Sequence, residues 1–332
     1  MADSVKAVQE RIYAIARSQE RHLQEAISQI LQNLKSLVAL KAIETALLNN
    51  DRYAIDRLYA QQDIKQTFLP LENALGTAYA MAGYKLSEDA KLLQHNANVP
   101  VAVYFNQMNP LLTGLVQNYS NTLITGMSQT AKSALGQMIG EQVLQGVSPI
   151  ESARSIRASI SMTPQQVKAY NNYEKLLRQG SKKALTYESR DKRYDASLGK
   201  MSEDKIRKAL EAFERKAIKR RSETIARTES LRLTNMANQH MYDDALLKGR
   251  IVEGDYKRFW LNAKDLKVRH SHVEIPHMNK EGVRLQEPFK SPLGLIMYPH
   301  DPSARGANTI NCRCTILYKM DIKAIKERLG MK

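Results

Sequence analysis

Cys312 and Cys314 stand one residue apart and are the only thiols in a chain of 332 residues. Thiolates are zinc ligands, but Cys-x-Cys alone supplies at most half a site. It fits equally a buried turn in which both sulfurs act as small hydrophobes. Sulfurs this close seldom form a relaxed disulfide. With no other cysteine to pair, folding in a reducing compartment is expected. The same stretch of chain carries His270, His272, His277, His300 and Asn308. Metal-dependent hydrolysis uses such residues, so a metal-dependent nuclease is one function class to weigh. Against it, the sequence has no carboxylate pair beside a histidine on a helix. It also lacks a His-Glu-x-x-His helix, a Walker loop and a Gly-x-Ser-x-Gly elbow.

A second chemistry is written in charge. The net charge is +16 and the pI about 9.7, which calls for a polyanionic partner, usually nucleic acid. Between Arg178 and Arg221 there are fifteen Lys or Arg and seven Asp or Glu, a net of +8 and half of the whole excess. The part up to Gly199 is polar and reads as a loop or arm. The part after it reads as a helix with Ile206, Leu210, Phe213 and Ala217 on one face. Lys182, Lys183, Lys192, Arg193, Lys216, Lys219, Arg220 and Arg221 are the expected DNA contacts, binding phosphates by counterion release. The alternative is a solvated helix face beside a linker.

The elements that must position these residues are mostly helices. Val5, Val8, Ile12, Ile15, Leu23, Ile27, Ile30, Leu34 and Leu37 form a three-four stripe broken only at Gln19. It predicts one long helix of roughly 65 to 70 Å, stopping at Asn49-Asn50-Asp51 and packing on helices further along the chain. Pro70, Gly76 and Gly83 are expected to break or kink the helical region after residue 51, and Val99-Pro100-Val101 to be extended. Gly126, Gly136 and Gly140 form a small-residue stretch suited to close helix approach. Ser148-Pro149-Ile150-Glu151 and Thr163-Pro164-Gln165-Gln166 are helix starts with capping boxes, and Ser202-Glu203-Asp204 opens another helix. A helix from Arg227 to about Leu247 ends at Gly249. Beyond it come β-prone pieces at 256–261, 282–285, 295–298 and 314–318.

The fold class is therefore mainly α: a long N-terminal helix and helical region, then a small α+β C-terminal domain with an antiparallel sheet. The expected divisions are a helical interaction domain over 1–147, a connector with the basic arm over 148–219, the α+β domain over 220–320, and a short helix or tail over 321–332. There is no apolar run that would span a membrane and no signal-peptide core at the start.

One ordered set of motifs identifies the C-terminal domain more specifically: Ala226-Arg227-Thr228-Glu229, Trp260 with Asp265 five residues on, Arg269 to His272, Tyr298-Pro299-His300-Asp301-Pro302, and Asn311-Cys312-Arg313-Cys314. It resembles the phage Mu F-like head morphogenesis family over roughly residues 220 to 320, and more weakly at Gly146-Val147-Ser148-Pro149. Many members of that family carry Cys-x-x-Cys after the Trp-Asp element. With the late Cys-x-Cys, that makes four thiolates for zinc. Here Arg269 and His272 stand at those two positions. The resemblance thus implies His272, Cys312 and Cys314 as zinc ligands or the remnant of such a site, with His270, His300 or Asp301 as candidate fourth ligands. In either form it implies that the two segments touch. Arg227, Glu229, Trp260, Asp265, Arg269 and Asn311 are implied to be structural, with the Trp260 indole nitrogen finding an acceptor. Arg227 and Glu229 also admit a reading as a catalytic pair.

The family resemblance further implies a non-enzymatic minor head protein, inside the virion and assembled in the bacterial cytoplasm. Its expected partners are the portal protein, double-stranded DNA, and scaffold or major capsid protein. Its expected role is procapsid assembly, DNA packaging or DNA ejection.

Overall fold

The computed structural model describes residues 5–36, 39–49, 51, 57, 64–106, 109–145, 149–304 and 306–331. Among these are ten α-helices and one two-stranded antiparallel sheet, so the chain is mainly α with a small α+β C-terminal region. The helices are α1 (Val5–Ser36), α2 (Leu40–Leu48), α3 (Ile64–Asn96), α4 (Pro110–Gln145), α5 (Pro149–Ser159), α6 (Pro164–Arg178), α7 (Glu203–Leu247), α8 (His270–Met278), α9 (Gly306–Thr309) and α10 (Ile322–Arg328). The strands are β1 (Tyr256–Leu261) and β2 (Thr315–Met320). None of the helices is long and apolar enough to cross a membrane. Contacts divide the chain into two compact units. One comprises Met1–Gln24, Glu72–Ser120 and Thr224–Lys332, the other Glu25–Leu71 and Asn121–Glu223. Each unit draws on segments far apart in sequence, so the linear divisions at 147 and 219 are not its boundaries.

The stripe on α1 is buried at Ile12, Ile15, Leu23, Ile27, Ile30 and Leu34, and Gln19 is buried at its break; Leu37 lies outside the described residues. The helix stops at Ser36 and does not run on to Asn49. Ala39 is extended (φ −64°, ψ 135°) and α2 begins after it, ending at Asn49. No proline or glycine marks the break. The redirected α2 buries Ile43 and Ala46 and packs on α5, so tertiary burial ends the helix where local propensity would continue it. The 32 residues of α1 span roughly 48 Å, shorter than the stripe suggested.

Pro70, Gly76 and Gly83 do not interrupt α3, which is continuous through all three. At Gly83 the reason is close approach: a Cβ there would collide with the Phe105 ring. Gly126 lies inside α4 with nothing within 4 Å of a built Cβ, so no close helix neighbour explains it. The segment after α3 is extended as expected. Gln94 serves it like a neighbouring strand, accepting from Ala102 N (2.8 Å) and Val103 N (3.0 Å) and donating to Val103 O (2.9 Å).

In the second unit the capping box at Thr163 is present. Gln166 N donates to Thr163 Oγ1 and Thr163 N to Gln166 Oε1, while Ser148 falls outside the described residues. The polar stretch after α6 is not a loose arm. It forms two 3-10 turns (Lys182–Thr186 and Lys192–Ser197), and Tyr187 between them packs on Tyr173 and Phe213, which stack at 5.0 Å. Three aromatic rings supply the small core that this polar segment lacks by itself.

α7 is a single 45-residue helix, capped at Gly249 (φ 66°). It buries Ile206, Leu210, Phe213 and Ala217. After it, β1 and β2 pair antiparallel from Tyr256↔Met320 to Leu261↔Thr315. The other two β-prone pieces make only isolated bridges, Arg258↔Val283 and Phe289↔Ile296. Asp321 caps α10 by accepting from Ala324 N (3.0 Å).

Candidate functional site

The chain reaches the site through α8 and the segment leading into β2. Arg269, with extended backbone, starts α8. His272 and Ile275 lie one turn apart on its buried face. On the other side, Asn311 takes a left-handed conformation (φ 55°), and its N–H donates to Thr228 Oγ1 of α7 (3.1 Å). This fixes where Cys312 and Cys314 begin. His272 Nδ1 lies 3.4 Å from each cysteine sulfur, and the three potential ligand atoms are all within 4.8 Å of one another. The segments 269–272 and 312–314 therefore touch, some 40 residues apart in sequence.

The neighbouring contacts favour His272 and Cys312 as electron-pair donors. His272 Nε2 is 3.3 Å from Asn308 Oδ1. A proton on that nitrogen leaves the Nδ1 lone pair facing the sulfurs. A hydrogen bond from the Cys314 thiol holds Cys312 well below the usual thiol range, against the effect of burial and with help from His300 and His272. Cys314 is correspondingly pushed up, first by that same hydrogen bond, then by burial and repulsion from Cys312. The Trp260 indole N–H is buried without a partner of proper hydrogen-bond geometry, so the expected acceptor is not found. Its influence, like that of Arg269, nevertheless favours the Cys314 thiolate. Two sulfurs and an imidazole, with an indole N–H left over beside one sulfur, form a donor set suited to a thiophilic divalent ion.

None of the three candidate fourth ligands joins the cluster. His270 is 91% exposed and faces Glu274. His300 is fully buried but both ring nitrogens are engaged, Nε2 with Cys312 O (2.8 Å) and Nδ1 with Asn235 (3.3 Å); burial pushes its pKa down. Asp301 caps its own turn, accepting from Met297 N, Ser303 N and Ser303 Oγ. Among the described residues the cluster has three protein ligands.

The remaining motif residues are ties between elements. Trp260 is buried, with its ring 6.0 Å from His272 and 5.4 Å from Phe289. Asp265 receives a two-pronged bond from Arg313 (2.5 and 2.7 Å), which holds its carboxyl down at about 2. Arg269 donates to Ile310 O. Arg227 and Glu229 do not pair with each other. Arg227 reaches Glu20 of α1 (3.4 Å), while buried Glu229 accepts from Tyr119 Oη and lies 3.4 Å from Arg232. α1 adds two more ties, Tyr13 Oη to Arg313 O (2.6 Å) and Gln9 Nε2 to Asn262 O (3.0 Å).

The expected DNA contacts divide by environment. Lys182, Lys183 and Lys192 are exposed, and Lys219 is 70% exposed with Glu223 at 3.9 Å. Arg193 is held by Asp191 (2.6 Å), Lys216 donates to Arg190 O (2.6 Å), and Arg220 pairs with Glu188 (2.9 Å). Arg221 does not belong in the set. It is buried and donates to Ser161 O (2.9 Å), because its position faces the core side of α7.

No family model, curated protein or solved structure matches the chain.

Two residues outside the expected site set organise the region. Asn308 stands in the sequence only beside the histidines of the nuclease alternative. Arg258, with no exposed surface, lies on the alternating buried face of β1 with Tyr256 and Trp260. That alternation was the available signal. The Arg258 guanidinium donates to Gln239 Oε1 (2.7 Å), Arg284 O (3.0 Å), Met297 O (2.7 Å) and Glu287 O.

Proposed function

We propose that this chain is a minor head protein of the Mu F-like head morphogenesis type. In this reading it works beside the portal and the packaged DNA in a phage capsid, with zinc held by His272, Cys312 and Cys314 as a structural tie. The observation that carries the reading is the convergence of the motif residues on which the resemblance rests. Thr228 with Asn311, Asp265 with Arg313, and His272 with both cysteines are direct contacts, and Arg269 reaches the backbone of Ile310 next to the last motif. A motif set scattered over nearly 90 residues acts as one structural unit, as expected of a family scaffold. Zinc would neutralise the two thiolates and pin α8 to the segment before β2.

A non-enzymatic role is part of the proposal. The cleft over the cluster is lined by Ala263, Lys267, Val268, Arg269, Asn311 and Arg313. Asp265, two residues before Lys267 in the chain, is engaged by Arg313, which does line it. A hydrolytic site needs a base within reach of the attacking water; apart from the three proposed metal ligands, no histidine or carboxylate lines this cleft. The deciding experiment is co-expression with the portal protein of the same phage, followed by analysis of assembled particles. The chain should co-purify with portal and be found inside DNA-filled heads. Its absence from particles would overturn the reading. So would DNA turnover with zinc or magnesium that is lost in His272→Ala.

A further inference from the structure

A zinc site that serves only as a structural tie is normally closed by four protein ligands, whereas a three-ligand site keeps one position for a ligand from outside. Among the described residues the cluster here has three potential ligands; of the candidates for a fourth, His300 and Asp301 are hydrogen-bonded elsewhere and His270 is exposed beside Glu274. The cleft that opens on the three ligands has a volume of about 10 Å³, about that of one water-sized sphere, so an outside ligand would reach the metal through a single atom and keep the rest of its bulk at the rim. Its rim is cationic. Lys267 is exposed, Arg269 spends one of its five donors on Ile310 O, and Arg313 is balanced by Asp265.

Charge arithmetic then selects the outside ligand. A divalent ion with two thiolates and a neutral imidazole is neutral. Lys267 and Arg269 add two positive charges next to it, and the four-thiolate arrangement of the resembled family would have been doubly negative instead. We propose that the open position takes a small anion with oxygen donors, of the phosphate or carboxylate class, presented by Lys267 and Arg269. The inference rests on the zinc reading above.

Cobalt(II) tests both and keeps them apart. The full-length protein is loaded with cobalt and its sulfur-to-metal and visible ligand-field bands are recorded. Inorganic phosphate is titrated in one arm and acetate in another. The expected result is one cobalt per chain, bands that shift saturably with at least one of the two anions, and an affinity weakened roughly tenfold in Lys267→Glu, whose exposed side chain bears no core. Shifts with phosphate alone or acetate alone identify the class. Cobalt bands that appear but stay fixed under a large excess of both anions would overturn the anion site and leave the metal reading standing. Failure to bind cobalt or zinc at all would overturn the metal reading and the inference with it. A phosphate response identical in Lys267→Glu would remove the cationic rim from the proposal's support and refute its charge argument.

Discussion

Arg258→Ala should be among the most damaging single changes in the C-terminal region. The guanidinium has no exposed surface and makes four hydrogen bonds, three of them to backbone carbonyls of the turns at 284, 287 and 297. A charged donor contributes about 1.5–3 kcal/mol per bond in isolation. These four share one side chain and are not additive, so the net loss is roughly 3–5 kcal/mol. The Phe289 ring, 5.2 Å from the guanidinium carbon, loses its cation as well. Trp260, the only tryptophan, is two residues away on the same strand face, so its fluorescence in a denaturant titration reads the change directly. Arg258→Lys should recover only part of the loss, because three donors on a flexible stem replace a planar fork. Arg258→Met separates two accounts. If the cost of desolvating the cation outweighed its hydrogen bonds, methionine would be neutral or stabilising. Because three carbonyls and an amide oxygen would lose their donor, it should instead cost nearly as much as alanine. A loss below about 1 kcal/mol in both variants would refute the assignment of Arg258 as the hub of these turns.

Three further outcomes are expected. His240, buried against Tyr79 Oη (2.9 Å), has its pKa pushed down to about 4 by burial, and Asp243 one turn away has its pKa pushed up to about 6 by burial. The unfolded chain binds the extra proton at His240 between pH 6.5 and about 4, whereas the folded chain binds it at Asp243 between about 6 and 3.8. The two contributions therefore oppose each other, each by about 3 kcal/mol. Asp243→Asn should steepen the loss of stability on acidification and His240→Gln should flatten or reverse it; parallel pH–stability curves for both variants would refute this. Glu229→Gln should cost about 3 kcal/mol or more by leaving Arg232 buried without its carboxylate, against less than about 1 for Arg227→Gln on the half-exposed pair; thermal melts showing the reverse order would contradict the geometry. Replacing Lys182, Lys183, Lys192 and Lys219 with alanine should lower the salt slope of DNA binding by roughly three to four, while Arg221→Lys leaves it unchanged; an unaltered slope in the quadruple variant would remove DNA contact from that surface.

Much of this architecture could be read from pattern. The α1 stripe, the Thr163 cap, the stop at Gly249 and the strands at 256 and 315 all derive from local periodicity and turn chemistry, and each occurs. What pattern could not carry was settled by tertiary partners. Ala39 breaks a stripe with no breaker residue because α2 finds α5. Pro70 sits inside α3 although proline costs a helical bond. The polar turns after α6 are anchored by Tyr187, a single aromatic whose stack exists only in three dimensions. For the basic segment, charge counting could not show which cations are already neutralised by Asp191, Glu188 or a carbonyl. In the His272–Cys312–Cys314 cluster the contact between 269–272 and 312–314 was foreseeable from the resemblance. The exclusion of His270, His300 and Asp301 was not, since it depends on groups they bond elsewhere.

Among its described residues the C-terminal region has only two strands between α7 and α10, so its turns must be held by side chains. Two buried polar centres share that work. Arg258 collects the carbonyls of 284, 287 and 297, and His272 with Cys312 and Cys314 joins α8 to the approach to β2. Trp260 lies between them, edge-on to His272 at 6.0 Å and to Phe289, the ring beneath Arg258, at 5.4 Å. Close-packed interiors transmit a change at one contact to the next. If the proposed metal is bound, its loss should therefore reach the Arg258 side through this tryptophan, and also through α7, where Asn235 donates to Cys314 O and Gln239 accepts from Arg258. Chelation should alter Trp260 emission before the global transition in a thermal melt, and Trp260→Phe, which keeps a ring but loses the indole N–H, should weaken metal affinity as well as stability. Unchanged affinity in that variant would mean that the indole N–H does nothing for the Cys314 thiolate and that the tryptophan does not couple the two centres.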